Sequence, residues 1–154
     1  MYEFHGEQFL NAPLDEVFSF FSNPANLDEL TPDRLRFEIE TDTPIEMREG
    51  LELDYTLRIR GIPVSWRSRI EVWEPPERFV DVQVHGPYTH WRHEHAFDER
   101  DGDTLVTDHV AYGVPGWIFA PLIHYFFVRP DVVSIFDYRR KRLEEMFNDT
   151  GEAS

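Results

Sequence analysis

Leu51-Glu52-Leu53-Asp54-Tyr55-Thr56-Leu57-Arg58-Ile59-Arg60 alternates apolar and polar residues without a break. Strand side chains point to opposite faces at a period of two, so this stretch reads as a half-buried β-strand. Gly61-Ile62-Pro63 turns the chain. The next strand puts Val64, Trp66, Ser68, Ile70 and Val72 on one face and Arg67, Arg69 and Glu71 on the other. After the turn Glu74-Pro75-Pro76-Glu77, strands are expected over 78–85 and 89–97, joined by Gly86-Pro87-Tyr88. The turn Asp101-Gly102-Asp103 leads into a further strand over 104–112.

On the N-terminal side, a first strand is expected over 2–10. Asn11-Ala12-Pro13 then starts a helix, with Pro at an early position and Asp15 and Glu16 in the first turn. Leu14, Val17, Phe18 and Phe21 recur at helical spacing, and Asn23-Pro24 begins a second short helix carrying Leu27 and Leu30. Thr31-Pro32 stops it, and Phe37 and Ile39 begin the alternating pattern. On the C-terminal side, 113–116 breaks the sheet and 117–147 reads as one long helix. Pro130 should kink or split it, because proline lacks a donor and clashes with the preceding turn. Val133, Phe136, Arg140 and Leu143 then follow at helical spacing.

Hairpins joined by short turns make an antiparallel sheet that buries one face and wets the other. The long helix is the large element left to cover the apolar face. The expected fold class is therefore α+β, a bent seven-stranded antiparallel sheet around a long C-terminal helix with two short helices after the first strand. Residues 1–147 are expected to form a single domain, with 148–154 a disordered tail.

The 154 residues carry a formal charge of -15. A surface this acidic repels phosphate backbones, which argues against nucleic acid and anionic membranes as partners. Lys141 is the only lysine; a high-salt cytoplasm and ordinary genome composition both account for such a surface. Cysteine is absent, so a metal could be held only by His and carboxylates, and no metal or cofactor is expected. Residues 1–5 have no basic or apolar run of the kind a signal peptide needs, and a cytoplasmic location is expected. The apolar stretch 116–128 contains Pro121 and His124, is shorter than the about 20 residues of a spanning helix, and reads as a buried helix. No membrane association is expected.

The opening Pro13-Leu14-Asp15-Glu16-Val17-Phe18, with Phe21, Asn26-Leu27 and Leu30-Thr31-Pro32, resembles that of the SRPBCC (START-like, helix-grip) superfamily. The segments Phe79-Val80-Asp81-Val82-Gln83-Val84-His85-Gly86-Pro87-Tyr88 and Trp91-Arg92-His93-Glu94-His95-Ala96-Phe97, with Phe136-Asp137-Tyr138-Arg139, are similar to a bacterial ligand-binding, cyclase/dehydrase-like subgroup. The resemblance covers about residues 4–147. It implies the helix-grip fold and binding of a small molecule in an internal cavity, and it implies no particular reaction.

On the strand 89–97, Trp91, His93, His95 and Phe97 share a face that the two end aromatics mark as inward. The strand 78–85 can bury either Phe79, Asp81 and Gln83 or Val80, Val82 and Val84, and the resemblance favours the first set. Val106, Asp108, Val110 and Tyr112 are the inward set of the last strand, leaving His109 outward. Unpaired buried amides or hydroxyls each cost roughly 2–7 kcal/mol, and charges more. Asp81, Gln83, His93, His95 and Asp108 must therefore pair with one another, meet water or meet a ligand. The expected binding set is these five with Tyr55, Trp66, Trp91, Tyr112, Phe126 and Phe136, around a small apolar or aromatic, lipid-like or polyketide-like molecule.

A self-satisfied Asp–His–Gln network that only sets strand register is the bland reading of the same groups. An enzymatic alternative, a cyclase or dehydratase, would use His93 or His95 as general base oriented by Asp81 or Asp108. His93-x-His95 also has the spacing of a strand metal site, with Asp81, Asp108 or His90 as a third ligand, but no cupin-like partner follows it. No serine lies in an elbow motif. Trp117, Ile118 and Phe119 are expected near the cavity mouth, as a lid or a cap. Asp137 with Arg139 or Arg140 is expected in helix or helix–sheet ion pairs. His124 is expected to be a satisfied buried histidine. The chain is expected to be a monomer or weak homodimer, and an outward patch of Val80, Val82 and Val84 would suit pairing in a third reading as an interaction module.

Overall fold

In a computed structural model, which describes residues 1–42 and 45–148, seven strands form one antiparallel sheet. They are β1 (Tyr2–Leu10), β2 (Glu38–Ile39), β3 (Glu52–Ile59), β4 (Ile62–Glu74), β5 (Arg78–His85), β6 (His90–Arg100) and β7 (Asp103–Gly113). Their order across the sheet is β1-β7-β6-β5-β4-β3-β2, so consecutive strands from β2 to β7 are neighbours, and β1, whose connection crosses to β2 at the far edge, pairs with β7. The helix α1 (Leu14–Phe21) and two 3₁₀ turns, Pro24–Leu30 and Asp33–Leu35, lead from β1 to β2. The expected second strand shrinks to two residues. The expected tail falls outside the described residues except for Asn148, which donates to the Phe9 carbonyl at 2.8 Å and accepts from the Asn11 amide at 2.7 Å.

Two apolar clusters fill the concave side of the sheet. In one, Val17, Phe18 and Phe21 of α1 meet Phe79, Phe97 and Val106, with Phe18 edge-on to Phe97 at 5.2 Å. In the other, Val110, Tyr112 and Val132 pack with Tyr2, Phe4 and Phe136. Thr104, fully buried, is satisfied by the Ala12 carbonyl at 2.9 Å.

The pairing of β4 with β5 shifts register between Ile70 and Val72. The bulge reverses side-chain parity, so Trp73 packs on Phe18 and Phe79, while Val72 lies opposite Val80. Val72 was expected to face the same way as Ile70; one extra residue on β4 overturns that. The bulge also alters the expected outer valine patch. Val80 has 0% exposure, lying between the Arg78–Glu94 and Arg92–Glu71 ion pairs, and Val82 is half-buried. Only Val84 of the three is exposed, so no valine face remains for pairing.

The C-terminal helix (Trp117–Asn148) runs through Pro130 unbroken. A π-helical turn, His124–Val128, precedes the proline, and the Arg129 amide donates to the His124 carbonyl five residues back. The wider turn accommodates the proline where a split was expected. The buried stripe is Val132, Arg139 and Leu143, one residue off the expected Val133 and Arg140. The helix start departs more: Trp117, Ile118, Phe119, Leu122, Tyr125, Phe126 and Phe127 are all exposed, where a buried helix was expected.

Leu143 is 2% exposed and Val133 39%. Leu143→Ala should therefore lower the unfolding free energy by about 2–5 kcal/mol in urea titration. Val133→Ala should stay within roughly 0.5 kcal/mol of the parent.

Candidate functional site

The middle strands carry a polar band between the two apolar clusters. Along β6 the inward residues are Trp91, His93, His95 and Phe97; Phe97 belongs to one cluster, Trp91 packs on the other, and the histidines lie between. In register, Asp81 of β5 sits opposite His93, and Asp108 of β7 sits opposite His95. The hydrogen bonds run on the diagonals instead. His95 Nε2 meets Asp81 at 2.8 Å, and His93 Nε2 meets Asp108 at 2.7 Å. Diagonal partners are within reach of long side chains on a twisted sheet. Because the two diagonals run in opposite directions, the imidazoles cross and stack at 3.7 Å. Phe79 stacks on the other face of His95 at 4.2 Å.

The C-terminal helix adds Arg139, which is 8% exposed. Its guanidinium lies over Phe21 and Phe136, and its nearest carboxylate contact is Asp108 at 3.6 Å. Of the helix and helix–sheet ion pairs expected of Arg139, the contact is the helix–sheet one, to Asp108 on β7. Arg140 instead donates to the Glu7 carbonyl at 2.7 Å.

Burial pushes the His95 imidazolium pKa down to about 4, and the neighbouring His93 adds to the shift against the opposing pull of Asp81. His95 is therefore a neutral ring near pH 7 that donates Nε2–H to the Asp81 carboxylate. Burial raises the Asp81 carboxyl, but the His95 hydrogen bond and the nearby positive groups outweigh it and hold the pKa below the usual range. At Asp108, burial is likewise outweighed, by Arg139 and by the His93 hydrogen bond. Among the described residues, two buried side-chain polar atoms form no hydrogen bond, His95 Nδ1 and Arg139 Nε.

A cavity of about 220 Å³ opens between the sheet and the helix, with Asp81, His93, His95 and Arg139 among its lining. Leu30, Leu35, Leu53, Leu57 and Ile135 supply apolar wall. Tyr55, Trp66, Trp91 and Phe136 supply aromatic wall, with Trp66 edge-on to Trp91 at 5.5 Å. Ser68 accepts from Trp66 Nε1 at 2.9 Å and bonds the Tyr55 hydroxyl at 3.0 Å, which fixes both rings. Burial raises the Tyr55 pKa far above its ordinary value. Arg60 pairs with Asp131 at 3.1 Å and Arg34 with Ser134 at 2.7 Å, tying the β3–β4 hairpin and the 3₁₀ turn to the helix across the cavity's side.

Four expected binding residues lie elsewhere. Gln83 accepts from the Tyr88 amide at 3.1 Å and donates to its carbonyl at 2.7 Å, so it braces the turn 85–88. Tyr112 packs in the second cluster and bonds His124 Nε2 at 2.8 Å. His124, expected to be buried, is half-buried and stacks on Tyr2 at 3.5 Å. Phe126 points to solvent, and Asp108 stands behind His93 outside the lining. Trp117, Ile118 and Phe119 neither cap nor line the cavity. Arg139 is the site residue that the sequence reading missed; the spacing Val132, Phe136, Arg139, Leu143 places it on the apolar stripe and was the available signal.

Asp81, His93 and His95 also bring three ligand atoms within 4.8 Å of one another. Both Nε2 atoms already face carboxylates, the rings stack face to face, and the Arg139 guanidinium supplies the local positive charge. An added cation would have to break both hydrogen bonds and sit beside a buried arginine, so the donor set fits a metal poorly.

The His95 shift has a signed consequence. Its folded pKa lies below the unfolded value of about 6.5, so the unfolded chain binds more protons between pH 6.5 and 4, and stability falls on acidification through that window. The loss attached to His95 is about 3 kcal/mol. His95→Gln keeps an N–H donor toward Asp81 but does not titrate. Its urea midpoint should therefore fall less than the parent's from pH 7 to pH 4.

Comparison with known proteins places this geometry. A family model described as "Polyketide cyclase / dehydrase and lipid transport" matches residues 10–130. No curated protein matches the sequence. Among solved structures, protein Ms6760 from Mycobacterium smegmatis has a TM-score of 0.68 at 15% identity, covering 94% of this chain and 89% of its own. A ginseng (Panax ginseng) major latex-like protein 151 has a TM-score of 0.67 at 12% identity, covering 95% and 97%. A START superfamily protein from Mycobacterium smegmatis has a TM-score of 0.65 at 11% identity, covering 95% and 99%. These likenesses are of fold. With the helix-grip architecture and the extent of the family match, the chain belongs to the polyketide cyclase/dehydrase and lipid transport family of the SRPBCC superfamily.

Proposed function

We propose that this protein binds a small, largely apolar molecule, aromatic or polyketide-like, with its polar end against Asp81 and His95. The family description, which names lipid transport beside polyketide chemistry, is compatible with such a ligand. The observation that carries the reading is the lining of the cavity: an apolar and aromatic wall interrupted by the Asp81 carboxylate, whose side chain keeps 20% exposure. A carboxylate set in such a wall accepts a hydrogen bond from a ligand hydroxyl and so orients an otherwise apolar molecule. The size is adequate: an apolar cavity of roughly 150 Å³ admits benzene, and about 220 Å³ is available here. Aromatic walls at Tyr55, Trp66 and Trp91 favour a planar body.

The test is a panel of naphthols and their deoxy analogues, titrated by isothermal calorimetry. Ile135→Trp, which fills the cavity from the helix, should weaken all of them at least tenfold. Asp81→Asn should weaken the naphthols, which donate a hydroxyl, about fivefold or more and leave the deoxy analogues unchanged. Binding of the whole panel undiminished in Ile135→Trp would place the ligand elsewhere.

A second reading is favoured by one contact, the His95–Asp81 bond at the cavity wall. A neutral imidazole held by a carboxylate is the form a general base takes, so the same site would serve a cyclase or dehydratase. Turnover of an aromatic poly-β-ketone that is lost in His95→Gln while its binding is retained would select this reading over a carrier.

A further inference from the structure

From Val114 to Val128 the chain has no Asp, Glu, Lys or Arg, in a protein where 29% of residues are charged. This segment begins the C-terminal helix and is apolar all round. Ala120, Ile123 and Val128 face inward, against the cluster of Val110, Tyr112 and Val132. The outward side carries Ile118, Leu122, Tyr125 and Phe126, which recur at helical spacing, flanked by Trp117, Phe119 and Phe127. Their exposures run from 51% at Phe127 to 87% at Trp117. Seven large apolar side chains on one exposed segment exceed the scattered hydrophobes of an ordinary surface.

The border of this patch is basic although the protein is acidic. Arg129 follows it directly and is exposed. Arg60 lies over the Phe127 ring at 5.1 Å. Arg58 shares that hairpin, whose tip adds the exposed Ile62. Arg60 and Asp131 offset each other at 3.1 Å, so the net positive charge of the border falls to the exposed Arg58 and Arg129.

We infer that this face docks on a lipid bilayer surface of zwitterionic headgroups. Aromatic and aliphatic side chains beside arginines suit the boundary between acyl chains and lipid phosphates. The segment 117–128 is about 18 Å long at 1.5 Å per residue, against a hydrocarbon core of about 30 Å, so it lies in the interface and does not span it. The overall charge of -15 sets the lipid class, because it repels strongly anionic surfaces while the local arginines meet phosphate. A second copy is the poorer occupant. A two-fold contact would bring together two bodies that each carry a formal charge of -15. Local chemistry thus departs from the expectation of no membrane partner, which averaged charge over the whole surface. The inference does not depend on what the cavity holds.

The experiment is flotation of the full chain with phosphatidylcholine vesicles in about 0.15 M salt, read alongside tryptophan emission. Of the four tryptophans, Trp117 is 87% exposed and Trp66 only 7%, so a blue shift reports chiefly on the patch. Wild type should float and shift to the blue. Phe119→Asp with Phe126→Asp, at exposed positions that leave the melting temperature unchanged, should float at least tenfold less. Absence of flotation by wild type, or equal flotation of the variant, would overturn the inference. A dimer that the same substitutions dissociate, with no flotation, would overturn it in favour of a second copy.

Discussion

Two carboxylates, two imidazoles and a guanidinium are buried together under the C-terminal helix, and the interior is organised around keeping them paired. Leaving one buried hydrogen-bonding group without its partner costs about 1–3 kcal/mol, and more for a carboxylate, a large part of a small domain's stability. The crossed diagonals His95–Asp81 and His93–Asp108 therefore demand one register of β5, β6 and β7. A slip of β6 by one residue would turn His93 and His95 to the outer face and bring Arg92 and Glu94 inside.

The band also divides the core. Apolar packing is continuous on either side of it, around Phe18 and Phe97 toward one end and around Val110 and Val132 toward the other. Between them the helix presents Arg139 and Phe136 rather than short aliphatic residues, and the cavity occupies the division. Asp81, His93 and His95, side chains that pin the strand register, thus also line the cavity.

Local irregularities set which residues can take part. The bulge in β4 turns Trp73 into the core and leaves Val72 with Val80 beneath surface ion pairs. The π turn before Pro130 keeps the helix continuous, so that Val132, Arg139 and Leu143 reach the sheet. The same helix leaves its apolar beginning uncovered, because the sheet offers only one side to it.

The sequence alone determined the succession of strands along the chain, the turns between them and the inward set of β6, because a period of two between Gly and Pro turns is a local property of the chain. It also showed His93 and His95 on a face marked by Trp91 and Phe97. The facing of β5 was legible only through the family resemblance, since Phe79, Asp81 and Gln83 alternate as cleanly as the three valines. Tertiary structure alone decided that Gln83 braces a turn, that Tyr112 pairs with His124, that Arg139 enters the site, and that the stretch 116–128 is exposed. The reason is physical: periodicity shows which residues share a face, whereas what covers that face depends on partners brought from distant parts of the chain. A stretch as apolar as 116–128 reads as buried until the folded chain leaves one side of it without a neighbour.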